Sequence, residues 1–232
     1  MHRDLKPFLP YQVFLNYPFD SKFLPLADAM GFAVVASGLL PVCALDLTSP
    51  DHPRLDMLIE AIQYCHYSAH DLSRSTGEGK SNLARMNMPL EMGMALFHAL
   101  VSQRNDHRCI FFVPTPHEYK AFASDLSGLD PRCHHNDETL LVTAMYEWLR
   151  SIVPGNIFNS RPTVDIIAKF NEFKKRLKTI RGANGTGKPS HEERREIMYQ
   201  MCSESRWWDW RKTRAGKAQF PPIPLRTVSA SR

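Results

Sequence analysis

Residues 108–114 read RCIFFVP, a continuous apolar run of the kind found in a strand covered on both faces of a parallel sheet. Immediately before it, residues 89–102 (PLEMGMALFHALVS) predict a helix, with Pro89 tolerated in its first turn. After it, residues 138–152 (ETLLVTAMYEWLRSI) predict an amphipathic helix. Working back toward the N-terminus, HYSAHDL (66–72) is placed as a strand by its position between a helix and a polar loop. Leu55, Leu58, Ile59 and Ile62 mark one face of the helix before it. FAVVAS (32–37) reads as a strand. SKFLPLADAM (21–30) reads as a helix closed by Gly31, and YQVFLN (11–16) as the first strand. Residues 38–53 hold Gly38 and three prolines and read as a long exposed loop. A last strand–helix pair is expected near 156–178.

Alternating short strands and helices point to an α/β fold, a flavodoxin-like doubly wound parallel sheet of about five strands. Right-handed crossovers bring the C-terminal ends of all strands to one edge, where such folds bind ligands. Tyr17 to Asp20, Asp71 to Arg74 and the start of the 89–102 helix are expected to meet there.

Hydrophobic residues make up 43% and charged residues 23% of the 232, an ordinary balance for a globular chain. No apolar run approaches the ~20 residues a bilayer requires, so no membrane partner is expected. Five scattered cysteines without CxxC spacing fit a reduced, cytoplasmic setting. The net charge of +5 is uneven: residues 174–232 carry fifteen Lys/Arg and five Asp/Glu. The chain is divided into an α/β domain over 1–180 and a basic, Trp-containing extension over 181–232. Trp207, Trp208 and Trp210, set among Arg206, Arg211 and Lys212, suit docking on the domain; single-stranded nucleic acid is the alternative partner.

Three segments carry candidate chemistry. In NMPLEMGMA (87–95), Glu91 is read in the first turn of an apolar helix, aimed at the ligand edge. A carboxylate there can stabilise or attack the anomeric carbon in glycosidic cleavage; as a plain helix acid it is favoured by the unpaired amides. Asn87 precedes it as a substrate-binding candidate. In HDLSRSTGEGK (70–80), Asp71, Ser73 and Arg74 suit ribose and phosphate oxygens, or an ordinary surface loop. In NYPFD (16–20), Tyr17 or Phe19 can stack on a base and Asp20 can bind a ribose hydroxyl, or the aromatics simply pack. Residues 182–189 nearly spell a P-loop, but Pro189 replaces the magnesium-binding hydroxyl and no strand precedes it. Cys133, His134, His135 and Asp137 lack a second metal-spaced pair and read as a polar loop; no metal is expected.

In this order the three segments resemble the TIR domain and its relatives, the nucleoside 2-deoxyribosyltransferase-like proteins. VFLNYPFD (13–20) is similar to the TIR first strand, VFISY followed by an acidic residue, and NMPLEMGMA resembles the deoxyribosyltransferase Glu-hydrophobic-Gly pattern. The chain departs in its long 38–53 loop and in lacking Ser-x-Trp after Asp71. The resemblance implies that Glu91 is catalytic and that NAD is a substrate rather than a cofactor. It implies cleavage of the nicotinamide–ribose bond to ADP-ribose or a cyclic form. Base exchange on deoxynucleosides, or a non-catalytic self-associating module, are its alternatives. It further implies a homo-oligomer or a defence-system partner protein, since bacterial stand-alone TIR-like proteins often act in antiviral defence.

Overall fold

Apolar side chains alternate along the central strands and so cover both faces of one sheet. The computed structural model describes residues 9–47, 51–75, 85–101, 107–121, 123–184, 187 and 189–204. Five parallel strands, β1 (Leu9–Asn16), β2 (Leu40–Cys43), β3 (Cys65–Asp71), β4 (Arg108–Val113) and β5 (Arg132–Cys133), lie in the order β2-β1-β3-β4-β5. This is the flavodoxin-like order, whose direction of winding reverses between β1 and β3. Six helices follow in sequence: α1 (Leu24–Ala36), α2 (Arg54–Tyr64), α3 (Asn87–Val101), α4 (Glu138–Ile152), α5 (Thr163–Asn184) and α6 (His191–Glu204). Val13, Leu15, Tyr67, Ala69, Ile110 and Phe112 point to the face covered by α1 and α4, with α5 and α6 packed behind. Phe14, Phe111 and Val113 point to the face covered by α2 and α3.

Two expectations are corrected near the N-terminus. FAVVAS is the second half of α1, and the second strand is LPVC at 40–43. Residues Leu26 to Ala36 are all buried, because α1 has the sheet on one side and α4, α5 and α6 packed around the rest. A helix apolar on every side shows no helical period, so its β-branched run mimics a strand. Gly31 does not end the helix: a Cβ there would lie 3.5 Å from Met198 Sδ on α6. The terminator is Gly38, at φ +84°. Its N–H donates to Val35 O (3.0 Å) and Leu39 N–H donates to Val34 O (3.1 Å), the paired bonds of a Schellman cap. The 38–53 segment is correspondingly not an exposed loop at its start: Gly38 to Ala44 are buried.

The last strand is also corrected. Residues 156–162 form no strand; Asn159 instead bonds the C-terminus of α1, its N–H to Ser37 O (2.9 Å) and its amide nitrogen to Ala36 O (3.0 Å). The fifth strand is the two-residue β5, reached from β4 through 3-10 turns at Glu118–Ala121 and Ser124–Gly128. Helix α5 continues through 182–184, and α6 places Ile197, Met198, Met201 and Cys202 in the main core. The three tryptophans at 207, 208 and 210 lie outside the described residues.

Candidate active site

Strand β1 ends at Asn16, whose buried amide nitrogen donates to Met88 O on α3 (2.8 Å) and lies 3.1 Å from His70 Nδ1 on β3. These bonds fix the N-terminus of α3 over the C-terminal ends of β1 and β3, the crevice where doubly wound folds take ligands. The bonding continues into the sheet face. His70 Nε2 lies 2.9 Å from Ser68 Oγ, Ser68 Oγ lies 2.9 Å from His107 Nε2, and His107 Nδ1 lies 2.8 Å from Cys65 O. The ends of the chain set the tautomers: an amide nitrogen only donates and a carbonyl only accepts. His70 therefore accepts at Nδ1 and donates from Nε2, Ser68 donates to His107, and His107 donates from Nδ1. Burial, with His107 nearby, pushes His70 down to about 3, so the ring is neutral.

Glu91 lies on this same helix, on the inner face with Met88, Met92 and Ala95. The helix begins at Asn87 rather than Pro89, so Glu91 is in its second turn, beyond the first-turn amides. Its side chain is only 8% exposed, and among the described residues no hydrogen bond or ion pair holds the carboxyl. Burial raises it to about 7, against a weaker opposing pull from Arg54 at the start of α2. A buried carboxyl titrating near neutrality, on the helix that begins over the strand ends, is suited to proton transfer or to stabilising a cation.

The loops after β1 and β3 are joined to each other by charged side chains. Asp20 Oδ2 bonds Arg74 Nε (3.2 Å) and faces Arg85 Nη1 (3.4 Å), joining the loop after β1 to both ends of the loop after β3. Its Oδ1 accepts from the N–H groups of Lys22 and Phe23. Burial opposes ionisation of Asp20, but the bonds from Arg74 and the Phe23 amide hold it below the ordinary carboxylate value. Asn87 is exposed at the first position of α3, and Phe19 stands exposed beyond β1.

Other candidate residues are engaged inside the protein. Tyr17 is buried, stacked on Phe23 at 6.1 Å, with its hydroxyl 3.5 Å from Cys43 Sγ. Asp71 is buried and bonded to His134 Nε2 (3.0 Å) and to the Ser73 N–H (2.9 Å). The Asn136 N–H donates to His134 Nδ1 (3.0 Å), so the ring proton sits on Nε2 and is given to Asp71. Ser73 Oγ approaches that same Nε2 (3.3 Å), and a serine and an aspartate on one ring nitrogen do not form a nucleophilic relay.

At the neighbouring strand end, ligand-type atoms of Cys43, Asp46 and His191 lie within 4.8 Å of one another. The Arg195 guanidinium sits among them, 2.6 Å from Asp46 Oδ1, 2.8 Å from His191 Nε2 and 3.9 Å from Cys43 Sγ. A side-chain cation thus occupies the place a metal ion would take, and the cluster fastens α6 to the loop after β2.

No protein-family model, no curated protein and no solved structure matches this chain. Among the described residues no helix is long and apolar enough to cross a membrane.

Proposed function

We propose that the chain cleaves an N-glycosidic bond of a nucleotide, NAD first among candidates, with Glu91 beside the anomeric carbon. The observation that carries this reading is the buried, unbonded Glu91 carboxyl, raised to about 7, on the helix whose N-terminus Asn16 ties to the end of β1. The sequence resemblance to TIR-like and deoxyribosyltransferase-like proteins supports the choice of substrate class. In the proposed step the C1′–N bond breaks and its electron pair leaves with nicotinamide. The ribosyl cation that remains is stabilised by the ionised Glu91, and water adds to C1′ while the carboxylate takes its proton. A ribosyl hydroxyl in place of water gives the cyclic product. Arg74 and Arg85, both paired with Asp20 between the loops after β1 and β3, are the cations this reading assigns to the phosphates, with the exposed Asn87 at the start of α3. In this reading the activity serves antiviral defence, the setting of the proteins resembled.

The test is nicotinamide release from NAD by the full chain. Release that falls at least ~100-fold in Glu91→Gln supports the assignment, a loss in the range of an essential acid–base group. Equal release from both proteins removes Glu91 from the chemistry. Intact NAD with free base appearing from deoxynucleosides transfers the site to base exchange.

A further inference from the structure

Helix α3 has a second apolar face, opposite the one that carries Glu91. Met86, Leu90, Gly93, Phe97 and Leu100 recur at alternating steps of four and three, the spacing of a helix-pairing seam. All of them face solvent: Met86 is 65% exposed, Leu90 55%, Phe97 67% and Leu100 77%, with Gly93 also exposed. The stripe starts at the helix cap, since Leu90 N–H already bonds Met86 O (3.0 Å). Beside it, a groove of about 720 Å³ runs between α2 and α3, walled by Ile59, Ile62, Pro89 and Val101 as well as by Leu90 and Phe97.

A surface helix ordinarily keeps charge on its outer face. Over 86–101 there is no Lys or Arg, and the sole acid, Glu91, is buried on the other side. Nothing on this face therefore repels an identical face or selects a partner of opposite charge. The stripe is close to symmetric about its centre: Met86 and Leu100 lie seven residues from Gly93 on either side, and Leu90 and Phe97 three and four. Self-complementarity is what a two-fold interface demands. A Cβ at Gly93 would meet nothing within 4 Å, so the helix is open to a second backbone at the midpoint.

We propose that α3 pairs with α3 of a second copy in an antiparallel two-fold dimer whose axis passes beside Gly93. Leu90 then faces Phe97 of the other copy, and Met86 faces its Leu100. Each Phe97 enters the groove between the other copy's α2 and α3, a knob in a preformed hole. With Val101, these side chains remove on the order of 700 Å² of surface per copy, close to the ~800 Å² per partner of a standard interface. The seam and the crevice lie on opposite faces of α3, so the dimer stands whether or not Glu91 turns over substrate.

The experiment uses the full chain, with sedimentation equilibrium for mass and mild oxidation for geometry. A concentration-dependent dimer is expected, weakened at least ~100-fold by Phe97→Glu, a change at a two-thirds exposed position that leaves the far-ultraviolet circular dichroism unaltered. Gly93→Cys is expected to give a disulfide-linked dimer under oxidation that leaves the wild type uncrosslinked. A monomer up to hundred-micromolar concentration overturns the proposal and leaves the seam to a helix of another protein. A dimer indifferent to Phe97→Glu, or one that Gly93→Cys fails to link, overturns it equally.

Discussion

Glu91, the proposed catalytic carboxyl, also bears on the stability of the fold. Its carboxyl ordinarily titrates near 4.5 and is raised by burial to about 7 in the folded chain. Between those values the folded state binds the extra proton, so its contribution to stability is fully present below 4.5 and is lost as pH rises through 7. Glu91→Gln is therefore expected to be the more stable protein at pH 8, by on the order of 3 kcal/mol, with the gap closing by pH 4.5. Urea unfolding at the two pH values measures it; a gap independent of pH would mean that the carboxyl is already ionised and satisfied. If Glu91 acts as proposed, NAD turnover should show the opposite dependence, rising toward a plateau as pH passes 7, because a ribosyl cation is stabilised by the ionised form. The apolar helix around Glu91, with Gly93 two residues on, drew attention to that glutamate in the sequence, and the structure shows it buried. The polar chain from Asn16 through His70 and Ser68 to His107 had no such signal, because its members are separated along the sequence, in β1, in β3 and just before β4. The Asp71–His134 bond likewise joins residues 63 apart and leaves no local signature.

At the level of elements, periodicity found what has two unlike faces. Helix α4 was expected over 138–152 and forms over those residues, because its inner face (Leu141, Val142, Met145, Leu149) differs from its outer one and Asp137 caps it with bonds to Thr139 and Leu140 N–H. Helix α1 was misread because it has no outer face. Strand β5 was missed because two residues carry no period. The two glycines of the α1 region give a sharp test. Gly31 is mid-helix with room for a Cβ at ordinary contact distance from Met198, so Gly31→Ala is expected to stabilise by about 0.5–1 kcal/mol. Gly38 holds the left-handed cap at φ +84° and faces Ile157 O and Asn159 Cβ, so Gly38→Ala is expected to destabilise by about 1–2 kcal/mol. Thermal unfolding of the two variants checks the pair, and shifts of the same sign would return the helix end to Gly31.

Across the whole molecule, α6 is the outermost layer tied to the sheet edge. Arg194 pairs with Asp28 on α1, and Asp46 holds both Arg195 and His191. Burial disfavours the Asp46 carboxylate, yet the bonds from His191 and Arg195 keep its pKa below the ordinary value. Because the folded value is depressed, this contribution is present above the unfolded value near 4 and is lost only as pH falls through the lower folded one. Asp46→Ala removes the carboxylate that both Arg195 and His191 bond and is expected to cost about 1.5–3 kcal/mol. Amide exchange over 191–204 should then quicken ahead of exchange in β1 and β3; uniform acceleration would show instead that α6 and the sheet open as one unit. The strand order has a consequence of another kind. Its longer strands, β1, β3 and β4, are all interior, while the rims are β2, four residues with Pro41 lacking an N–H, and β5, two residues with an exposed Arg132. Among the described residues a passing extended chain finds almost no open ladder to template on, an arrangement that guards this sheet against edge-to-edge aggregation.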